Sequence, residues 1–505
     1  MSSPFYGEEF TFTQPDGQKI EVRGWGDQHY AVFEDLDGFT IVQDPVTGFY
    51  EYATVSDDGD ELEPTGVRVG SVDPRRIDLT EGLRISPAAA KAKAEMSAGL
   101  APSSKSRWEV RRERATAALR AATLAPEVSP APPQRETVGD YVGLCLLVQF
   151  PDVPATISRE DVDAFCNRQG YNGFGNKGSV YDVFFDNSGG KLRYTNLVAP
   201  SYYTTKHNRS YYTNESIPQP TRAWELSKEA LDDLKAQGFD FSQLTSDDED
   251  YVYALNVFYA GDRVNNWAKG LWPHSYHLLT PYELMPGKLA FDYQITDMGS
   301  QLSLGTFCHE NGHMICDFPD LYDYGYESRG IGTYCLMCAG GNADKKNPTQ
   351  VDAYLKYQAG WAKNVTNITK DLNATIHAGQ NEFFVYRKNR SEYFIIENRH
   401  RVRRDEALPC SGLAIWHVDE LGSNNNEQMS PTSHYECTLV QADGRNDLEH
   451  GSNSGDDTDL FRGGVNDRLS DSTQPSSKWW DGTSSGLEIH SIGPEGTSLS
   501  FSVNV

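Results

Sequence analysis

Ser303 to Gly325 reads SLGTFCHENGHMICDFPDLYDYG. No helix breaker other than glycine precedes Pro319, so a single helix can carry His309, Glu310 and His313. Histidines four residues apart share one helix face, with Cβ atoms about 5–6 Å apart, the bite that a zinc ion needs. Glu310 lies one step around the helix, where its carboxylate can reach a water held by the metal without becoming a ligand. Zn²⁺ lowers the pKa of its water toward ~7 and polarises a carbonyl, leaving an adjacent acid to take and return the proton. A catalytic zinc takes three protein ligands plus water, and the chain supplies Asp317, Asp320 and Asp323 immediately downstream. Pro319 can stop the helix and turn the chain back, which makes Asp320 the preferred third ligand, with Asp317 and Asp323 as alternatives.

Upstream and downstream of this segment the texture changes several times. Residues 10 to 80 alternate apolar and polar positions in short runs punctuated by DG, TG and DDGD, the mark of a strand meander. From Ser86 the composition turns to Ala, Lys, Arg and Ser with helical spacing (WEVRRERATAALRAA) and ends in the Pro-rich APEVSPAPPQ. YVGLCLLVQF, from Tyr141, reads as a buried strand opening a new core, and strands mixed with long helices continue to about Gly360. After Trp361 strands and turns return: EFFVYRKN, EYFIIENR, SGLAIWHVDE, YECTLVQADG and LSFSVNV. The expected organisation is a multidomain α+β chain. It comprises a β-rich segment over 1–82, a helical Arg- and Pro-rich linker over 83–138, a domain of mixed strands and helices that carries the histidine motif over 139–363, and a C-terminal β-sandwich over 364–505.

With 505 residues and 38% hydrophobic content the chain can bury several cores, which excludes a single small module and general disorder. Its net charge of −27 repels a nucleic-acid duplex or an anionic membrane surface, so no nucleic acid partner is expected. No run approaches the roughly 18 apolar residues of a membrane span, and MSSPFYGEEFTF shows no signal peptide. Inside this acidic chain residues 101–135 carry seven basic side chains against three acidic ones. That excess suits either a solvated helix face or a docking and cleavage segment against an acidic body.

HENGHMICDFPDLYDYG resembles the zinc signature of the immune inhibitor A family of secreted metallopeptidases, which belongs among the metzincin-like zincins. The usual pattern there is His-Glu-x-x-His-x-x-Gly-x-Pro-Asp-x-Tyr-Asp, followed by a glycine-rich turn bearing methionine. GWGDQHYAVFEDLDGFTIVQDPVTGFYEYA is similar to that family's pro-region, GSVYDVFFDNSGGKLRYTN to its first catalytic helix and strand, and GTYCLMCAGG to its methionine turn. YFIIENRH, GLAIWHVDE, LVQADG and GDDTDLF resemble its following β domain. One departure touches the site: Cys316-Asp317-Phe318-Pro319-Asp320 is one residue longer, placing Asp320 eleven after His309 where the family has ten.

The resemblance implies a zincin-like catalytic domain and a zinc-dependent endopeptidase acting on protein or peptide substrates, made as a zymogen whose N-terminal pro-domain is its own inhibitor. It implies His309, His313 and Asp320 as zinc ligands, Glu310 as general base and then acid, Met337 as a hydrophobic floor, and secretion. Tyr334, beside the methionine turn, is a candidate oxyanion donor. Asp443, Asp456, Asp457 and Asp459 form an oxygen-rich stretch suited to Ca²⁺, in a family known for calcium-stabilised loops.

Cys308 and Cys316, about 12 Å apart along a helix, are expected to pair with Cys335 and Cys338 in the methionine turn. Cys410 would pair with Cys437, leaving Cys145 and Cys166. The first cysteine is Cys145, so latency cannot use a pro-region thiolate on the metal. Two rival readings remain: a catalytically silent zincin-fold surface or adhesion protein working through its β-sandwich, and a redox protein using Cys335-Leu336-Met337-Cys338.

Overall fold

Alternation of buried and exposed residues, as in Lys19–Gly26, builds six strands (Phe5–Thr13, Lys19–Gly26, Ala31–Asp35, Thr40–Gln43, Tyr50–Val55, Leu62–Arg68) into one antiparallel meander in chain order. The computed structural model describes residues 4–27, 29–99, 105–123, 136–325, 327–425, 430 and 432–505. The Pro-rich half of the expected linker, 124–135, lies outside them. The meander completes its core with side chains from far along the chain: Phe10 meets Trp272 at 5.5 Å and Phe33 meets Trp267 at 6.0 Å between ring centroids. The N-terminal sheet is therefore docked on the body through a shared aromatic core.

The second sheet is mixed. Gly139–Gln149, Leu192–Val198, Leu255–Tyr259 and Lys288–Asp297 run parallel, with His274–Met285 antiparallel at the edge. Gly139–Gln149 and Leu255–Tyr259, in the middle of the sheet, carry the near-continuous buried runs of strands covered on both faces, whereas Leu192–Val198 at the edge alternates. Against the sheet packs the histidine helix, Leu304–Cys316, whose seat is fixed by a buried polar cluster. Asn311 donates to Asn256 Oδ1 at 2.9 Å and accepts from Tyr194 Oη at 2.7 Å, while Gln294 donates to the same Asn256 oxygen at 2.6 Å. Buried amides are costly unless satisfied, so this cluster fixes the helix in one register over the central strand.

The last two sheets have five strands (from Asn364–Asn367 to Cys437–Leu439) and three strands (Leu372–His377, Ser498–Asn504, Glu488–His490). Every residue of Glu392–Arg399 is buried. Phe394 and Ile396 join the core shared with the three-stranded sheet, while Tyr393 and Ile395 join the main core of the body. The five-stranded sheet follows residue 363 in the chain, but the core does not divide there: a sheet sandwiched on both faces cannot separate from its neighbour without exposing one of them.

A buried charge cluster crosses the same boundary. Arg399, 1% exposed, donates two bonds to Asp405 at 2.8 and 2.7 Å, one to Glu397 at 3.3 Å and one to the carbonyl of Tyr334 at 2.9 Å. Removing the guanidinium leaves two buried carboxylates without their cation, and Arg399→Ala is expected to cost about 3–5 kcal/mol in denaturant unfolding. A loss below about 1 kcal/mol would show that solvent reaches the cluster.

No helix among the described residues is long and apolar enough to cross a membrane. All eight cysteines are buried, free thiols, which corrects the expected disulfides. The Cys410 sulfur lies 3.3 Å from the Tyr334 hydroxyl, while Cys437 lies near Cys335 and Asp352. Cys338 donates to the Arg329 carbonyl. Cys145 and Cys166, the two left over, face each other as side chains.

Candidate metal centre

The histidine helix ends on Asp317, which adopts the left-handed conformation (φ +56°) and returns its amide to the Gly312 and His313 carbonyls. Aspartate is among the few non-glycine residues that tolerate this geometry. The extra residue of the motif is thus absorbed by a left-handed turn, after which Phe318, Pro319 and Asp320 fold back under the helix. The Phe318 carbonyl meets His313 Nδ1 at 2.6 Å, and the Leu336 carbonyl meets His309 Nδ1 at 2.8 Å.

A carbonyl can only accept, so both Nδ1 atoms carry a proton, and in the neutral imidazole that leaves the Nε2 lone pair facing inward. Those Nε2 atoms lie 3.2 Å apart, and Asp320 Oδ1 lies 3.0 Å from His309 and 3.2 Å from His313. With both imidazoles neutral, three lone-pair atoms converge, and among the described residues no donor to Asp320 Oδ1 stands between them. His309, His313 and Asp320 would be the three protein ligands that a catalytic zinc takes. The donor set of two neutral imidazoles and one carboxylate fits zinc. Burial works against a charge on Asp320, but His313 and His309 in their protonated form outweigh it and hold the carboxyl far below its ordinary range, the part that a bound cation would take over when the imidazoles are neutral. It stands as a carboxylate, its second oxygen accepting from Tyr324 Oη at 2.8 Å. Burial, reinforced by Asp320, pushes the Tyr324 phenol well up, so it remains a donor.

Glu310 is 1% exposed, and neither of its carboxylate oxygens has a protein hydrogen-bond partner. A buried acid left bare in this way costs the fold free energy that its own bonding does not recover. Met337 lies fully buried beneath the helix: a Cβ on Gly312 would stand 2.6 Å from its sulfur, so glycine is required for this approach. The Met337 carbonyl also accepts from Leu321, tying the floor to the segment that carries Asp320.

The other expected residues are placed elsewhere. Asp317 pairs with Arg111 at 2.8 Å, and Asp323 accepts the amides of Gly325, Glu327 and Ser328, so neither alternative reaches the histidines. Tyr334 is not at the centre: its hydroxyl turns to Asp459 Oδ2 at 2.9 Å and the Asp456 carbonyl at 3.2 Å, which removes it as oxyanion donor. The four candidate calcium ligands do not gather either. Asp443 and Asp456 converge with Asp447 on the guanidinium of Arg445, which already supplies the cation. Asp457 is solvent-exposed and faces Arg462, and Asp459 is buried under Tyr334, where desolvation pushes its carboxyl up to about 7.

Sequence reading missed what covers the centre. The helix Arg107–Thr123 lies across it, with the Trp108 ring stacked on His313 at 4.7 Å and 27°. The amides of Arg107 and Trp108 donate to the two oxygens of Asp292 at 2.9 and 3.2 Å. Arg112 pairs with Glu436, which also accepts from Tyr354. The basic excess over 101–135 was the legible signal for this docking; Trp108, Asp292 and Tyr324 carried none. The sequence matches no protein-family model and no curated protein.

Proposed function

We propose that the chain is a zinc-dependent endopeptidase of the zincin type, made in a latent form. The observation that carries this reading is the convergence of three lone-pair donors, His309, His313 and Asp320, beside the bare buried carboxylate of Glu310. Zinc bound there would supply Lewis acidity and a water of lowered pKa. Glu310, one residue along the helix from His309, accepts the proton of the attacking water and returns it to the leaving amine. Tyr324 orients Asp320 by taking up its outer oxygen, so the inner oxygen alone faces the ion.

Latency rests on burial. His309, Glu310, His313 and Asp320 are at most 1% exposed, so no protein substrate reaches them while Arg107–Thr123 is in place. The helix and the meander before it act as the chain's own inhibitor by bulk, with Trp108 against His313. Secretion and membership of the immune inhibitor A family rest on the resemblance of motifs alone. The redox reading is disfavoured because burial pushes the Cys338 thiol up to about 12 and Cys335 well up, leaving neither as a ready thiolate.

The test is metal content together with casein hydrolysis, before and after the linker following Thr123 is cut. One zinc per chain, chelator-sensitive hydrolysis and a higher rate after cutting are expected. Absence of metal binding would overturn the centre, and equal rates before and after cutting would overturn latency.

A further inference from the structure

The two arginines that hold Arg107–Thr123 in the cleft do not lie on a plain acidic surface. Each guanidinium sits between an aromatic face and carboxylates. Arg107 stands 4.1 Å over the Tyr251 ring and reaches Asp247 at 3.3 Å and Glu249 at 3.1 Å. Arg111 stands 4.8 Å over the Tyr253 ring and reaches the same Asp247 oxygen at 3.1 Å, Asp317 at 2.8 Å and the Met314 carbonyl at 3.0 Å.

Asp247 is the common element, and its side chain is 2% exposed. Its Oδ1 is held by the amides of Glu249 and Tyr251, both at 3.0 Å, so the loop itself fixes the carboxylate with Oδ2 aimed at the two guanidiniums. A desolvated carboxylate beside a tyrosine face is a preorganised site for a planar cation. Beside the inner cradle a cavity of about 420 Å³ runs between the arginine helix and the end of the histidine helix, past Asp317 and Tyr253. The body around it belongs to a chain of net charge −27.

We infer that these cradles, Tyr251 with Asp247 and Glu249, and Tyr253 with Asp247 and Asp317, are substrate subsites for arginine side chains, occupied in the latent form by Arg107 and Arg111. The inference rests on the peptidase reading and on departure of the helix from the cleft when the enzyme is active. Four helical residues advance about 6 Å, a distance that an extended peptide covers in two residues whose side chains share one face. The substrate class is therefore a peptide with arginines at alternate positions on one side of the scissile bond. The cradles begin next to the centre, since Trp108, adjacent to Arg107, covers His313 and Asp317 follows that ligand by four residues.

The test is made in chelator, so that it reads binding without chemistry. The full chain carrying R107A, W108A and R111A loses the helix's anchors and opens the cradles. A fluorescein-labelled Gly-Arg-Gly-Arg-Gly peptide is then compared with its Gln analogue by fluorescence anisotropy. At least tenfold tighter binding of the arginine peptide is expected, falling to within twofold of the analogue when D247N is added. Equal binding of the two peptides, no binding of either, or a preference that survives D247N would overturn the inference. If the triple variant does not fold, the linker-cut wild-type chain with the same two peptides decides by the same criteria. Casein hydrolysis without arginine preference would overturn only the cradles, whereas arginine-selective binding by a chain that hydrolyses nothing would overturn only the peptidase.

Discussion

Glu310→Gln in the linker-cut chain is expected to lower casein hydrolysis by about 10³-fold or more while leaving one zinc per chain, because general-base assistance is worth ~10²–10⁴. The variant keeps the shape of the side chain and removes only its capacity to hold the proton. Glu310 makes no bond to the rest of the protein, so the fold has nothing to lose from the change. In metal-free protein the substitution removes a buried bare carboxylate and is expected to stabilise by about 1–3 kcal/mol in denaturant unfolding. The two readouts move in opposite directions, which a merely structural glutamate would not produce. Retained hydrolysis would end the assignment of Glu310 as base.

Asp320→Ala is expected to weaken zinc binding more than about 100-fold in competition with a chromogenic chelator, since losing even an outer partner of a ligand costs ~10–100-fold. Tyr324→Phe should fall in that smaller range, because it removes only the donor to the outer oxygen. Bound ligand stabilises by about 4.1 kcal/mol at a thousand times its dissociation constant. The wild-type chain should therefore melt higher with zinc than without it, and the Asp320→Ala chain should not. Without metal the alanine chain is expected to be less stable than wild type, since the change strips Tyr324 Oη and the two histidines of the carboxylate they face. Zinc affinity unchanged in Asp320→Ala would mean that the third donor is another group.

Much of the centre was legible because its spacing is local. An i, i+4 pair of histidines with an intervening glutamate lies on one helix face whatever surrounds it, and Pro319 ends that helix within a residue or two. The meander before residue 70 was legible in the same way, from alternation bounded by turn residues. The choice among Asp317, Asp320 and Asp323 was not, because it depended on where one left-handed residue turned the chain. A pattern that reads as glycine in the resembled family is carried here by Asp317.

Tyr334 and Tyr324 show the same limit. Both stand near motif residues in the sequence, and only the packing of 443–459 against the methionine turn draws the Tyr334 hydroxyl away to Asp459. The acidic stretch looked like a cation site by composition, yet Arg445, itself part of the stretch, folds into its middle. Cysteine positions suggested bridges across the site, whereas all eight stand as buried free thiols.

By itself, then, the order of residues determined the histidine helix, its acid, the β-rich ends and the basic excess before residue 135, since each is settled by neighbours within a few turns or strands. The tertiary structure alone decided which aspartate completes the triangle, that Glu310 is bare, that the five-stranded sheet is buried on both faces, and that Trp108 and two arginines close the cleft. Those features join residues up to about two hundred positions apart, such as Arg111 and Asp317. Such contacts are selected by the packing of whole layers, on which helical and strand periodicity, being short-ranged, has no hold.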